Sequence, residues 1–136
     1  MTPRELLAAF PGRRVVVIGD LMLDEYVHGR ATRISQEAPV MVVRQGRFEA
    51  VPGGAANVAA NLSALGADVA LAGVVGDDEP GVRLQTALEE RGTSRLALVK
   101  DRGRPTTRKT RILADAAHQV LRVDHESDHP LAPTPE

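Results

Sequence analysis

Apolar and polar positions along the chain divide it into short alternating elements. Thr2-Pro3-Arg4-Glu5 combines a capping box with proline at the first helical position, and Leu6, Leu7 and Phe10 add an apolar stripe before Gly12. A short first helix is predicted. Val15-Val16-Val17-Ile18 is a continuous β-branched run closed by Gly19-Asp20, the pattern of a strand buried on both faces of a parallel sheet. From Leu21 to Val51 the pattern changes to short extended pieces, Glu25 to His28 and Pro39 to Val43, separated by polar residues and by Gly29 and Gly46. These read as strands of a small flap.

Further along, Asn57 to Leu65 carries Val58, Leu62 and Leu65 at helical spacing among alanines and stops at Gly66. Val69 to Val75 is again a strand, closed by Gly76-Asp77-Asp78, and Pro80 to Arg91 is helical with Leu84, Ala87 and Leu88 facing inward. Asp77-Asp78 is placed to cap that helix, which accounts for it better than metal binding does. Leu96 to Val99 makes a third short strand. Thr106 to Leu113 and Gln119 to Val123 form two more, joined around Asp115 to His118, and this pair completes the flap. Residues 127–136 contain several prolines without apolar periodicity, as a linker or a cut end would. The order predicts an α/β fold, a right-handed βαβ sheet with a β flap, whose ligands bind beyond the carboxyl ends of the strands. Asp20, Asp24, Gly53, Gly54 and Asp77 lie at or near such ends.

Composition narrows the function. Seventeen Lys and Arg balance 18 Asp and Glu, and aromatics make up only 2%, so neither a nucleic-acid partner nor a membrane surface is expected. With no cysteine, thiolate zinc sites, disulfides and a cysteine nucleophile are excluded. No secretory pattern and no long apolar run is present, and a soluble cytoplasmic protein is the expectation. His125-Glu126-Ser127-Asp128-His129 matches H-E-x-x-H, but it follows a strand pattern, precedes Pro130 and has no third ligand downstream, so zinc chemistry is set aside. His28 and His118 fall in flap or turn positions and need no special role. The first strand is not followed by G-x-G-x-x-G, which disfavours a dinucleotide-binding oxidoreductase.

The informative stretch is Pro52 to Asn57. Two glycines before a helix let a ligand approach the backbone, and first-turn N–H groups and the Asn57 amide then meet hydroxyl or anionic oxygens. Taken alone, such a turn more often serves tight packing than a site. Gly53-Gly54-Ala55-Ala56-Asn57 with Ala59, followed by Gly66 and Gly76, resembles the first signature of the PfkB, or ribokinase-type, carbohydrate kinases. Gly19-Asp20-Leu21-Met22-Leu23-Asp24 occupies the place where that family carries a sugar-binding aspartate, matched here by Asp24. Asp20 is read either as a second sugar contact or as a turn residue. Together with Arg33-Ile34-Ser35-Gln36-Glu37-Ala38-Pro39-Val40, these stretches resemble the kinase domain of bacterial D-glycero-β-D-manno-heptose 7-phosphate kinases, from about Val15 to Glu126.

That resemblance implies phosphorylation of the anomeric oxygen of a heptose already bearing a 7-phosphate, in the synthesis of ADP-heptose for lipopolysaccharide. A basic group must meet the phosphate, with Arg104, Arg108, Lys109 and Arg111 as candidates. Lys109 and Arg111 alternate on one face of the strand and Arg108 on the other; Lys109 matches the subgroup's usual lysine. Lysines and arginines on exposed strands also prevent edge pairing. The family's catalytic base lies in a Gly-Ala-Gly-Asp element, beside the sites for ATP and Mg²⁺; this sequence contains no such element. The expectation is therefore the N-terminal, substrate-binding part of a kinase, inactive alone, or alternatively a noncatalytic sugar-phosphate-binding or oligomerisation module. Related flaps pair into dimers, so a homodimer through the flap strands is also expected.

Overall fold

A computed structural model describes residues 2–115 and 118–131. The capping box forms: Glu5 N–H donates to the Thr2 hydroxyl and Thr2 N–H to the Glu5 carboxylate, starting helix α1 at Pro3–Ala8. Its predicted apolar stripe finds nothing to cover it, and Leu6 and Leu7 remain exposed. Strands β1 (Arg14–Ile18), β4 (Asp68–Gly76) and β5 (Arg95–Asp101) form a parallel sheet in the order β1-β4-β5. Helices α2 (Ala55–Ala64) and α3 (Glu79–Glu89) connect it.

Because the strand order runs in one direction, right-handed crossovers place both helices on the same face. Their buried residues Ala56, Ala59, Ala60, Leu84 and Leu88 pack with Val69, Leu71 and Val75 in one core. The opposite face is open, which corrects the expectation that the first strand is buried on both sides. Val15 and Val17 turn inward, whereas Val16 is 68% and Ile18 77% exposed. A sheet covered twice needs strands added beyond β1 in the other direction, and among the described residues none is there.

The flap is larger than predicted. Strand β2 (Leu21–Ile34) begins directly after β1 and pairs with the antiparallel β3 (Met41–Gly54). Strand β6 (Thr107–Ala114) runs parallel to β2 on its other side, with β7 (His118–His125) antiparallel beyond it, giving the order β3-β2-β6-β7. Apart from Ser35 to Glu37 in the β2–β3 loop, the polar residues that break the pattern between Leu21 and Val51 are strand positions. Ala116 and Ala117, within the predicted joint, and residues 132–136 of the predicted tail lie outside the described residues.

At its base the flap enters the core through Leu21 and Leu23, both buried. Period-two alternation then puts Glu25 on the same inward face, where it is 4% exposed. Its carboxylate accepts from Arg83 Nη1 of α3 (3.0 Å) and from the Thr110 hydroxyl of β6 (2.7 Å), with Arg108 Nε 3.7 Å away. Arg83 also stacks over the Phe48 ring of β3. A buried carboxylate with these partners ties flap to helix, since a buried charge is tolerated only when paired and hydrogen-bonded.

Candidate functional site

A cleft of about 430 Å³ opens where the carboxyl ends of β1 and β4 meet the base of the flap. Asp20, Met22 and Gly73 line it from the sheet side, Thr107 and Lys109 from β6, and Arg104 and Pro105 from the β5–β6 turn. Asp20 stands in the short link between β1 and β2. Its carbonyl accepts the N–H of Ala55 at the start of α2 (3.0 Å), so one first-turn donor of the helix already has a partner. No side chain caps this helix.

The two glycines of the sequence motif are required by close approach. A Cβ on Gly53 would collide with the Asp24 carboxylate and with Met22 Cγ (2.8 Å). Gly54 has φ +58°, a region that disfavours residues with a Cβ, and a Cβ there would lie 2.5 Å from the Asp20 carbonyl oxygen. Gly53 thus lies against the Asp24 carboxylate and Gly54 against the Asp20 backbone, while Asp20 lines the cleft and Asp24, Gly53 and Gly54 stand outside its lining.

Asp24 is not a loop residue but a strand residue of β2, paired with Lys109 of β6 and Val51 of β3, so the three side chains share one face of the flap. Arg111 Nη1 lies 2.5 Å from Asp24 Oδ1, and its guanidinium stacks over Tyr26 with 5.4 Å to the ring centroid. The carboxylate holds the Arg111 pKa above its ordinary value. Lys109 Nζ donates to Glu126 Oε2 and Asp124 Oδ2, each at 3.2 Å, and these two hydrogen bonds raise its pKa. Arg108 faces the other way, towards Glu25, so of the predicted alternation the Lys109 and Arg111 set faces the cleft side.

Asn57 is placed differently. It is exposed on α2, its side-chain oxygen accepts from Asn61 Nδ2 (3.3 Å), and it lines a separate depression with Val51, Pro52, Ala60, Ala64 and Arg91. The structure does not bring its amide into the Asp20 cleft.

A second polar cluster fastens the β5–β6 turn beside the cleft to the start of α3. Asp78 caps α3 by accepting from Gly81 N–H (3.0 Å), and also accepts from Thr106 N–H (2.9 Å) and the Thr106 hydroxyl (2.6 Å). The same hydroxyl accepts from Gly76 N–H (2.8 Å) and is buried. Burial works to raise the Asp78 pKa, but the hydrogen bonds from Thr106 and Gly81 outweigh it and hold the carboxyl below its ordinary range. The cap was legible in the sequence; the link to Thr106 was not, because no local pattern marks a contact between residues so far apart in the chain.

Residues 126–131 are not helical, so the H-E-x-x-H string does not present two imidazoles on one helical face, and Glu126 is engaged by Lys109. Among the described residues no group of three His, Asp or Glu side chains converges on a metal. The carboxylates near the cleft mostly carry basic partners, and these residues do not fit an ATP–Mg²⁺ site. No helix is long and apolar enough to cross a membrane.

Comparison with known proteins agrees with this geometry. The family model for pfkB family carbohydrate kinases matches residues 13–134. The D-beta-D-heptose 7-phosphate kinase of Bordetella bronchiseptica is 55% identical over 86% of this chain, and the bifunctional protein HldE of Citrifermentans bemidjiense is 50% identical over 88%. The chain spans only 36% and 24% of those two relatives. Among solved structures, a carbohydrate kinase from Agrobacterium tumefaciens aligns with 82% of the chain and 35% of its own length at TM-score 0.67 and 22% identity. Ribokinase of Arabidopsis thaliana, solved with ribose and ATP, aligns with 84% and 36% at TM-score 0.60 and 20% identity. These likenesses show a ribokinase-like α/β fold. On the family match and the curated relatives, the chain belongs to the pfkB family of carbohydrate kinases.

Proposed function

We propose that this chain is the sugar-binding part of an ATP-dependent kinase that phosphorylates the anomeric oxygen of D-glycero-β-D-manno-heptose 7-phosphate, giving the 1,7-bisphosphate. The observation that carries the reading is that the bare backbone of Gly53-Gly54 lies against the Asp24 carboxylate and the Asp20 carbonyl, beside the cleft that Asp20 lines. Carboxylates accept hydrogen bonds from vicinal hydroxyls, and the bare glycine backbone lets the ring approach closely. Arg111 fixes the Asp24 carboxylate, while Lys109, with Asp124 and Glu126, forms the flap wall of the cleft. Asn57, whose side chain is bonded to Asn61 beside a separate depression, is given no part in the cleft. The heptose assignment is supported by the names of the two relatives at 50% identity and above.

Phosphoryl transfer also needs charge neutralisation and a base for the attacking hydroxyl. The 136 residues contain no Gly-Ala-Gly-Asp element. The chain by itself therefore binds sugar and turns over no ATP; the catalytic base and the ATP and Mg²⁺ contacts of the cytoplasmic reaction would come from residues other than these 136. Calorimetric titration tests the binding half: heptose 7-phosphate binds and Asp24→Ala abolishes binding, whereas equal binding of ribose or fructose 1-phosphate contradicts the assignment.

One observation favours an additional role in assembly. Phe48, Val27, Ile112 and Leu121 are register partners in a single apolar row across all four flap strands, on the face away from Asp24. Phe48 and Leu121 are exposed. A second copy of the flap would cover this row, and sedimentation of Leu121→Glu against the parent chain tests the dimer.

A further inference from the structure

We propose that Arg104 is the residue that meets the phosphate of the sugar substrate, and that the Asp78–Thr106 cluster is the clasp that holds it in place. The inference rests on reading the cleft as a sugar-phosphate site. Two cations line that cleft, Arg104 and Lys109. Lys109 is already neutralised by Asp124 and Glu126, and an incoming phosphate would have to displace two carboxylates or sit against them. The other basic residues of the flap base are engaged as well, Arg111 by Asp24 and Arg108 and Arg83 by Glu25. Among the described residues, no carboxylate lies within ion-pair distance of Arg104 and its side chain makes no hydrogen bond. A guanidinium offers a planar fork of donors that matches phosphate oxygens two at a time, which a lysine ammonium cannot do.

The stem of Arg104 is held firmly. The turn from Arg104 to Thr106 is pressed against the end of β4: a Cβ on Gly76 would lie 2.7 Å from the Arg104 carbonyl oxygen and 2.5 Å from Thr106 N. Thr106 is then bonded on both its N–H and hydroxyl to Asp78, and accepts from Gly76 N–H. This fastens the turn at the carboxyl end of the sheet, where the cleft opens, and lowers the ordering cost of placing the guanidinium on a ligand. Asp20, on the facing wall, is left for hydroxyl groups. Positive charge for the phosphate and negative charge for the hydroxyls thus come from different walls of one cleft.

The test compares dissociation constants for D-glycero-D-manno-heptose 7-phosphate and for the same heptose without phosphate, by calorimetry on the chain and its variants. A charge-assisted contact predicts that the chain prefers the phosphorylated sugar by about tenfold or more. Arg104→Ala and Arg104→Gln bring the ratio to about one, and Arg104→Lys restores part of it. Arg102→Ala, an equal loss of charge on the same turn but outside the cleft, keeps the preference. Unfolding midpoints equal to that of the parent establish that the variants fold. A preference that survives both Arg104→Ala and Arg104→Gln overturns the inference and leaves the sugar site standing. Equal binding of the two sugars by the parent chain does the same. Failure of the parent to bind either sugar overturns both the inference and the sugar-site reading beneath it.

Discussion

Thr106→Val is the perturbation that most cleanly probes how the β5–β6 turn beside the cleft is fastened. It keeps the shape of the side chain and deletes one hydroxyl, which donates to Asp78 Oδ1 at 2.6 Å and accepts from Gly76 N–H at 2.8 Å. Thr106 is fully buried, so water cannot replace the lost partner of Gly76 N–H. An unsatisfied buried donor costs about 1–3 kcal/mol, and a hydrogen bond to a charged acceptor contributes about 1.5–3 kcal/mol. Because Asp78 is partly exposed and keeps its bonds from Gly81 and from Thr106 N–H, the lower halves of these ranges apply, and the expected loss is about 3 kcal/mol. That is a large part of the roughly 5–15 kcal/mol available to a domain of this kind. Urea unfolding reads it as a midpoint lowered by about 1–2 M with an unchanged slope. Asp78→Ala has a similar cost, since it also removes the helix cap, worth about 1 kcal/mol. The two changes act on one network, so the double variant is expected to lose less than the sum by about 1–2 kcal/mol. A Thr106→Val loss under about 0.5 kcal/mol, or strict additivity with Asp78→Ala, would refute the description of Asp78 and Thr106 as one clasp.

Three further outcomes follow from the same geometry. Glu25→Ala leaves Arg108 without a counter-charge and Arg83 with Glu79 alone; both arginines are about one-third exposed, so the loss is about 2 kcal/mol rather than the 3–5 of a fully buried pair, read as a lowered melting temperature. Gly53→Ala drives the Asp24 carboxylate off its seat and weakens sugar binding by at least about tenfold, which titration of the variant checks. In acid, Asp78 has a folded-state pKa below its ordinary value of 3.8, so its contribution is complete above about pH 4 and is lost as the pH falls towards the folded value. Urea midpoints measured from pH 5 to pH 3 therefore decline, and Asp78→Asn shows a shallower decline over that interval.

The order of strands and helices was legible because periodicity is a local signal: the β-branched run Val15 to Ile18, the alanine-rich helix after Gly54 and the cap at Asp78 all form where the pattern places them. What periodicity does not carry is which faces are covered. Val16 and Ile18 are apolar in sequence and exposed in structure, because coverage depends on the direction in which strands are added. The flap was seen as fragments, since strands with one open face tolerate polar residues that break an apolar pattern. In the site, the Gly-Gly turn and Asp24 came from motif spacing, and the glycines prove to be required by the Asp24 and Asp20 contacts. Glu25 was missed although its signal was present: Leu21, Leu23 and Glu25 lie at alternate positions, and the first two are plainly inward. The ion pairs that engage Lys109 and Arg111 join strands distant in sequence, and only the register of β2, β6 and β7 brings them together.

The central claim, that the cleft at Asp20 holds a sugar phosphate, is tested most directly by mapping amide chemical shifts as the isotope-labelled chain is titrated with D-glycero-D-manno-heptose 7-phosphate. The account predicts saturable changes at Gly19 to Asp24, at Gly53 to Ala55 and at Arg104 to Lys109, with the rest of the molecule unmoved. Shifts confined to the open face around Val16 and Val99, or none at all, would contradict it.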